Sequence, residues 1–195
     1  MSKNGGIIGI SDHGGWAVMV TVASGGKLID RRRVELVDKG LPTIPHHHLA
    51  PTLPLHEAEE LIEHVRLSAE KHAKLAFDAI AKKVPVTIIG VALRECPVWL
   101  PPTIAERIND YRSRNVADWV MYRKALAAQA EARGWSVHWF DAKKVFEGAR
   151  RTLGIEDLDA HFLRIKKSIG PPWSVDHRLA MAGAVVAGNA AAKKG

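Results

Sequence analysis

Short apolar runs separated by glycine turns occupy the first 37 residues of the chain. Runs of apolar and β-branched residues that are bounded by glycine are typical of strands. The pattern predicts three strands in immediate succession, at residues 7–10, 16–22 and 27–37, joined by turns at 13–15 and 25–26. Charged and apolar residues roughly alternate in the third segment, which is the period of a strand.

A long amphipathic helix is predicted at residues 55–83, where apolar residues share one stripe and charged residues lie outside it. Residues 40–54 precede it with four prolines and three consecutive histidines. Because proline fixes φ and removes a backbone donor, this stretch is expected to be a loop. Further along, Thr103 is expected to cap a short helix, and a basic helix is expected within residues 155–170.

Asp12 stands where a buried first strand runs into a glycine turn. Burying a carboxylate costs several kcal/mol unless it is paired or bound to a cation. Two explanations are open from the residues alone. Asp12 is either a functional, cation-binding group or the cap of the turn at 13–15.

The segment Gly9-Ile10-Ser11-Asp12, with its glycine turn and two further strands, resembles the opening of the RNase H-like superfamily, and within it the RuvC-type Holliday-junction resolvases. Those begin with an apolar strand, Gly-Ile-Asp, a glycine turn and two antiparallel strands that complete a meander. The resemblance continues with a fourth strand at 85–93 ending at Arg94-Glu95, a helix at 116–134, a fifth strand at 135–140, a helix from 141, and an alanine-rich helix opening at Asp176.

The resemblance implies an α/β, three-layer fold. Its mixed five-stranded sheet would combine a three-strand antiparallel meander with two parallel strands and carry helices on both faces. With 195 residues, the chain is expected to form a single RNase H-like domain, 1–195, with a Pro/His-rich loop at 41–54 and a frayed tail at 190–195.

Composition narrows the class of protein. Hydrophobic residues make up 47% and charged residues 25%, which is ordinary for a soluble globular chain. The single cysteine excludes a disulfide framework and a multi-cysteine zinc site. Without a spanning apolar run or a secretory signal, we expect a cytoplasmic protein with no membrane partner. The net charge of +7 favours an anionic partner, most often nucleic acid.

Three carboxylates, Asp12, Glu95 and Asp176, are predicted to meet at one edge of the sheet. The ends of two parallel neighbouring strands would place Asp12 beside Glu95, and the last helix would bring Asp176 over them. Two-metal phosphodiester cleavage needs carboxylates that converge from different elements. The resemblance therefore implies an endonuclease for structured or branched nucleic acid, dependent on Mg²⁺ or Mn²⁺. Its catalytic metal ligands would be Asp12, Glu95 and Asp176, with His177 assisting.

The sequence departs from the family pattern at two places. Ser11 stands between Gly9-Ile10 and the acid, and a slip of one residue would turn Asp12 away from the site, since strand side chains alternate. In the last helix, strict register puts His177 where the family has an acid. Glu95 as an exposed strand end and Asp176 as a helix cap are structural alternatives. The departures favour a second hypothesis, a catalytically inactive module for nucleic-acid binding or assembly.

Six residues are predicted to contact nucleic acid: Arg31, Arg33, Lys143 and Lys144 through phosphates, and Trp99 and Trp173 by stacking on exposed bases. DNA is expected as the partner in preference to RNA. The resemblance also implies a homodimer, because resolvases of this type act as dimers on four-way junctions.

Overall fold

A single mixed sheet is the centre of the computed structural model, which describes residues 5–194, with side chains as far as residue 191. Its strands are β1 (Gly6–Asp12), β2 (Trp16–Ala23), β3 (Lys27–Glu35), β4 (Ile88–Arg94) and β5 (Ser136–Phe140). Their order is β3-β2-β1-β4-β5. β2 is antiparallel to both of its neighbours, whereas β4 is parallel to β1 and to β5. The predicted combination of a meander with two parallel strands is confirmed.

The helices are α1 (Leu55–Lys83), α2 (Ile104–Asn109), α3 (Tyr111–Glu131), α4 (Val145–Leu153), α5 (Leu158–Ile169) and α6 (Val175–Lys194). α1 has the bounds that its amphipathic pattern predicts. It connects β3 to β4, and a parallel pairing requires such a crossover. In the described part of the chain, no helix is long and apolar enough to cross a membrane.

Alternate residues of β1 face two different hydrophobic clusters. Ile8 and Ile10 pack with residues of α1 and α3 on one face of the sheet. Ile7 packs with residues of α4, α5 and α6 on the other face. The fold therefore has three layers, with the sheet in the middle. Because side chains alternate along a strand, the last two residues of β1, Ser11 and Asp12, point into different layers.

α6 lies very close to the central strand. A Cβ atom at Gly9 would meet the carbonyl oxygen of Ala180 far inside van der Waals contact and would lie 3.1 Å from Ala184 Cβ. Small residues on both elements thus permit the approach. It brings the start of α6, which carries Asp176, to the carboxyl end of β1.

Local capping explains where two helices begin. The helix predicted from residue 116 starts earlier, at Tyr111, because the Asp110 side chain accepts a hydrogen bond of 2.8 Å from the backbone N–H of Ser113. Thr103 caps α2 as expected, in a reciprocal capping box with Glu106. α6 extends to Lys194, and its many alanines favour the helix. The frayed tail at 190–195 stays a prediction. Residue 195 lies outside the described residues.

We predict that Gly9→Ala destabilises the protein by about 3 kcal/mol or more, because α6 must move away from β1 to admit the methyl group. The free energy of unfolding in urea measures this. Gly188→Ala is the matched control, since its Cβ would lie 3.8 Å from Ile7 Cγ1, an ordinary contact. We expect this control to be neutral or slightly stabilising, because alanine favours the helix. Equal stability of the two variants would contradict the close approach.

Candidate functional site

Asp12 is buried and paired with an arginine. Its carboxylate is fully shielded from solvent, and Arg123 Nε of α3 lies 3.0 Å from Oδ1 and 2.9 Å from Oδ2. Arg123 is itself only 6% exposed. Its Nη1 donates a further hydrogen bond of 3.0 Å to the backbone carbonyl of Glu95. The guanidinium therefore supplies the cation that a buried carboxylate requires, and it connects the ends of β1 and β4 to α3.

In the structure, Asp12 does not cap the turn that follows it. Within the turn, the backbone N–H of His13 donates to the carbonyl of Trp16 at 2.8 Å. The described hydrogen bonds of the Asp12 carboxylate come from Arg123. Asp12 is a member of a buried ion pair.

Ser11 and Asp176 meet on the opposite face of the sheet. The Ser11 hydroxyl donates to Asp176 Oδ1 at 3.1 Å, and His13 Nε2 lies 2.9 Å from the same oxygen. Partial burial raises the pKa of Asp176, but the hydrogen bonds from His13 and Ser11 outweigh it and hold this pKa below its usual range. The His13 ring stacks on Trp16 with centroids 3.9 Å apart. Asp176 is thus held by the side chains of Ser11 in β1 and His13 in the turn that follows it.

His177 belongs to the same layer as Asp176. Its Nδ1 accepts a hydrogen bond of 3.2 Å from the backbone N–H of Ser174 and lies 2.9 Å from the Ser174 hydroxyl. Burial lowers the pKa of His177, and the positive charge of Arg31 lowers it further. Trp173 covers His177, with ring centroids 5.7 Å apart. These contacts hold the turn that opens α6.

Glu95 takes part in the site through its backbone. Its N–H donates to the Phe140 carbonyl at 3.0 Å, and its own carbonyl accepts the hydrogen bond from Arg123. Its side chain is exposed to solvent. The neighbouring Cys96 thiol has a raised pKa because it is partly buried, an effect that Arg123 and Lys124 oppose. A thiol with a raised pKa is a weak nucleophile at neutral pH.

The described residues do not fit a two-metal centre. Among residues 5–194, no group of three or more His, Cys, Asp and Glu side chains is placed to hold a metal ion. The structure does not bring the predicted trio together, since Asp12 faces α3 and Asp176 faces β1 from α6. Both oxygens of Asp12 are already bonded to a guanidinium, and a cation beside it repels a second cation. The metal-binding and catalytic roles of Asp12, Glu95, Asp176 and His177 remain predictions that this donor set does not support.

Asp12 and Asp176 do not meet because Ser11 stands between Ile10 and Asp12 and moves the acid by one position along β1. The position that faces Asp176 is Ser11, a neutral hydroxyl, and the acid that follows it faces the other layer. This is the consequence expected of a register slip in a strand.

A loop covers the carboxyl edge beside β1. A Cβ atom at Gly14 would lie 2.6 Å from Ile44 Cγ2, and one at Gly15 would lie 2.7 Å from Thr43 Cγ2, so the Pro/His-rich loop packs directly on the turn. The loop is anchored by Asp118 of α3, whose side chain accepts hydrogen bonds of 3.1 Å and 3.2 Å from the backbone N–H groups of His46 and His47. In open α/β sheets this edge is the ligand crevice. Here the protein's own groups fill part of it.

Sequence reasoning did not find Arg123, Asp118 or His46, which are all buried. A signal was present: Asp118 and Arg123 are charged, whereas the other buried residues of this helix are apolar or carry only a hydroxyl group. Charged residues are almost never buried unless paired. Which partners they pair with depends on the packing of α3 against the loop and the sheet.

The predicted nucleic-acid contacts divide into two groups. Arg31 donates to the backbone carbonyls of Ile169, Gly170, Pro171 and Pro172, and Trp173 is only 9% exposed, so both are committed to the α5–α6 connection. Arg33 pairs with Glu35 and stacks on Trp16. By contrast, Lys143 and Lys144 are exposed, with a weak 3.6 Å ion pair from Lys144 to Asp141, and Trp99 is 40% exposed beneath the guanidinium of Arg112.

The strand order, with a three-strand meander, two parallel strands and helices on both faces, decides the fold class. The layout is RNase H-like. Two of the solved structures that the chain matches each show 13% sequence identity and a TM-score of 0.45. For Thermus thermophilus RuvC in complex with a Holliday junction substrate, 96% of this chain and 94% of that chain are covered. For a structure of Thermus thermophilus RuvC, the shares are 97% and 96%. No protein-family model and no curated protein matches the sequence.

We predict that Asp12→Asn and Arg123→Met each destabilise the RNase H-like domain by about 3–5 kcal/mol, because each leaves one buried charge without its partner. The double variant is expected to lose less than the sum of the two, since no lone charge remains. Urea unfolding of the four proteins gives the coupling energy. Glu35→Gln, which breaks the exposed pair with Arg33, is the control and should be nearly neutral. Strictly additive losses would contradict a mutual ion pair.

Proposed function

We propose that the protein is an RNase H-like domain that binds structured nucleic acid at the carboxyl edge of its sheet and does not cleave it through a metal centre. The observation that carries this proposal is the pairing of Asp12 with Arg123 on one face while Ser11 occupies the position that faces Asp176 on the other. The position that faces Asp176 thus holds a hydroxyl group, and the acid that follows it in β1 is bonded to an internal cation on the other face, whereas two-metal cleavage needs free carboxylate oxygens that converge.

Charge and exposed aromatic surface support nucleic acid as the partner. The net charge is +7. β4 and β5 are parallel, so the segments that follow them leave the sheet at the same edge. The first carries Trp99, with Arg112 stacked 4.0 Å from its ring centroid, and the second carries Lys143 and Lys144. Cations beside an exposed aromatic ring are the combination that binds phosphates and stacks on unpaired bases.

We predict that replacing Lys143 and Lys144 together by alanine reduces the slope of log K against log salt by about one to two units. With fewer phosphate contacts, fewer counterions are released when the protein binds nucleic acid. Fluorescence anisotropy with branched, duplex and single-stranded DNA, in the presence of a chelator, measures the binding. Alanine at Lys82 and Lys83 is the matched control. This pair is exposed at the end of α1, before β4, and so lies at the opposite edge of the sheet. An equal change in both double variants would refute a contact at the carboxyl edge.

We also predict that millimolar Mn²⁺ leaves the melting temperature of the wild type unchanged and that bound branched DNA stays intact. A native-state metal site with a dissociation constant one hundredth of the Mn²⁺ concentration would add about 2.7 kcal/mol of stability. Thermal unfolding with and without Mn²⁺, together with a gel assay on the same DNA, measures both. Mn²⁺-dependent cleavage of the DNA by the wild type, together with a rise in its melting temperature, would restore the nuclease hypothesis in place of the binding module.

A further inference from the structure

A groove of about 480 Å³ lies beside the first turns of three helices, α4, α5 and α6. Three apolar side chains line it, one from each helix: Phe146, Leu158 and Val175. Phe146 and Leu158 are partly buried, whereas Val175 is 57% exposed. Concave surfaces with an apolar lining are where proteins bind other molecules. The groove therefore offers apolar area that a partner can cover.

Two arginines in the groove are already paired with acids of the groove. Arg150 Nε lies 2.8 Å from a carboxylate oxygen of Glu147, and Arg178 Nη1 lies 3.3 Å from one of Asp159. The hydrogen bond from Glu147 raises the pKa of Arg150, and the negative charge of Glu156 adds a smaller contribution. Neither arginine is thus available to neutralise a further acid.

Two further acids of the groove, Glu156 and Asp157, are exposed and have no such partner. Among the side chains that the structure describes, no cation lies within ion-pair distance of either one. Asp157 Oδ1 accepts a hydrogen bond of 2.8 Å from the backbone N–H of Ala160, which caps α5, and its other oxygen has no described hydrogen bond. The groove is therefore acidic, although the chain as a whole has a net charge of +7.

The acids and the apolar lining together define the chemistry of the partner. Phosphate groups would be repelled by Glu156 and Asp157, so this surface does not suit nucleic acid. A lysine packs its aliphatic stem on apolar surface while its ammonium group pairs with a carboxylate. We propose that the groove docks a basic, amphipathic peptide segment of a partner protein. Its lysines would pair with the two acids, and its apolar side chains would cover Val175 and its neighbours.

The exposure of the groove sets the strength of this docking. The volume lies within the range of ordinary ligand pockets, roughly 300–1,000 Å³, so a short segment fits. Exposed ion pairs contribute little and are screened by salt, and the docking is therefore weak and salt-sensitive. It does not depend on the proposed function, because nucleic acid takes no part in it.

Fluorescence anisotropy of the full chain with three labelled, capped peptides tests the proposal at low salt. The first peptide alternates lysine and leucine over seven residues. The second has glutamate in place of lysine, and the third has serine in place of leucine. We expect the first peptide to bind and each of the others to bind at least about tenfold more weakly, because one lacks the opposite charge and the other the apolar side chains.

Variants of the protein assign the binding to this groove. Glu156→Lys should raise the dissociation constant of the first peptide by about tenfold or more, since like charges then meet. Val175→Ser should raise it by about threefold or more through the loss of apolar contact. Glu59→Lys, which makes the same change of charge on the exposed side of α1, is the matched control and should bind as the wild type does. Circular dichroism verifies that each variant is folded.

Three results would overturn the proposal. One is that the glutamate peptide binds as well as the lysine peptide, or that neither binds. Another is that Glu156→Lys and Glu59→Lys bind the lysine peptide equally. The third is that spermidine displaces this peptide with the same affinity as the unlabelled peptide does, because the groove would then take a free polycation and the apolar lining would have no role.

Discussion

The ion pair between Asp12 and Arg123 holds the carboxyl edge of the sheet together. Both groups are removed from water, so each is tolerated only because the other is present. The same guanidinium bonds to the Glu95 carbonyl, which means that the end of the central strand, the end of its parallel neighbour and helix α3 cannot move independently. The position of α3 in turn allows Asp118 to anchor the Pro/His-rich loop over the turn that follows β1.

The Asp12–Arg123 pair lies on one face of strand β1, and a second group of polar side chains lies on the other face. Ser11, His13 and Asp176 form hydrogen bonds on the α6 side, and Asp12 is bonded on the α3 side. The polar residues at this edge of the sheet are thus divided between two layers. A metal centre requires several carboxylate oxygens to converge on one point, and alternation along the strand prevents this here. The exposed surface of this edge, with Trp99, Arg112, Lys143 and Lys144, is where we propose that nucleic acid binds.

Much of the fold follows from local sequence. The glycine turns and apolar runs predict the meander, and the stripe of α1 predicts its bounds at both ends. The predicted start of α3 at residue 116 is five residues too late, because the cap at Asp110 starts the helix at Tyr111. Of the candidate site residues, Asp12 is buried as its position in the sequence predicts, but its partner Arg123 was not predicted. Arg31 and Trp173 were expected to meet nucleic acid, whereas they support the connection between α5 and α6.

The sequence by itself determined the elements, their order and the two faces of each strand, because these depend on spacing over a few residues. It also contained the warning that Ser11 displaces the acid by one position. Only the tertiary structure decided what neutralises Asp12, because Arg123 is 111 residues away and reaches it through the packing of α3 on the sheet. The pairing of a buried charge depends on which helix covers it, and no local pattern specifies that.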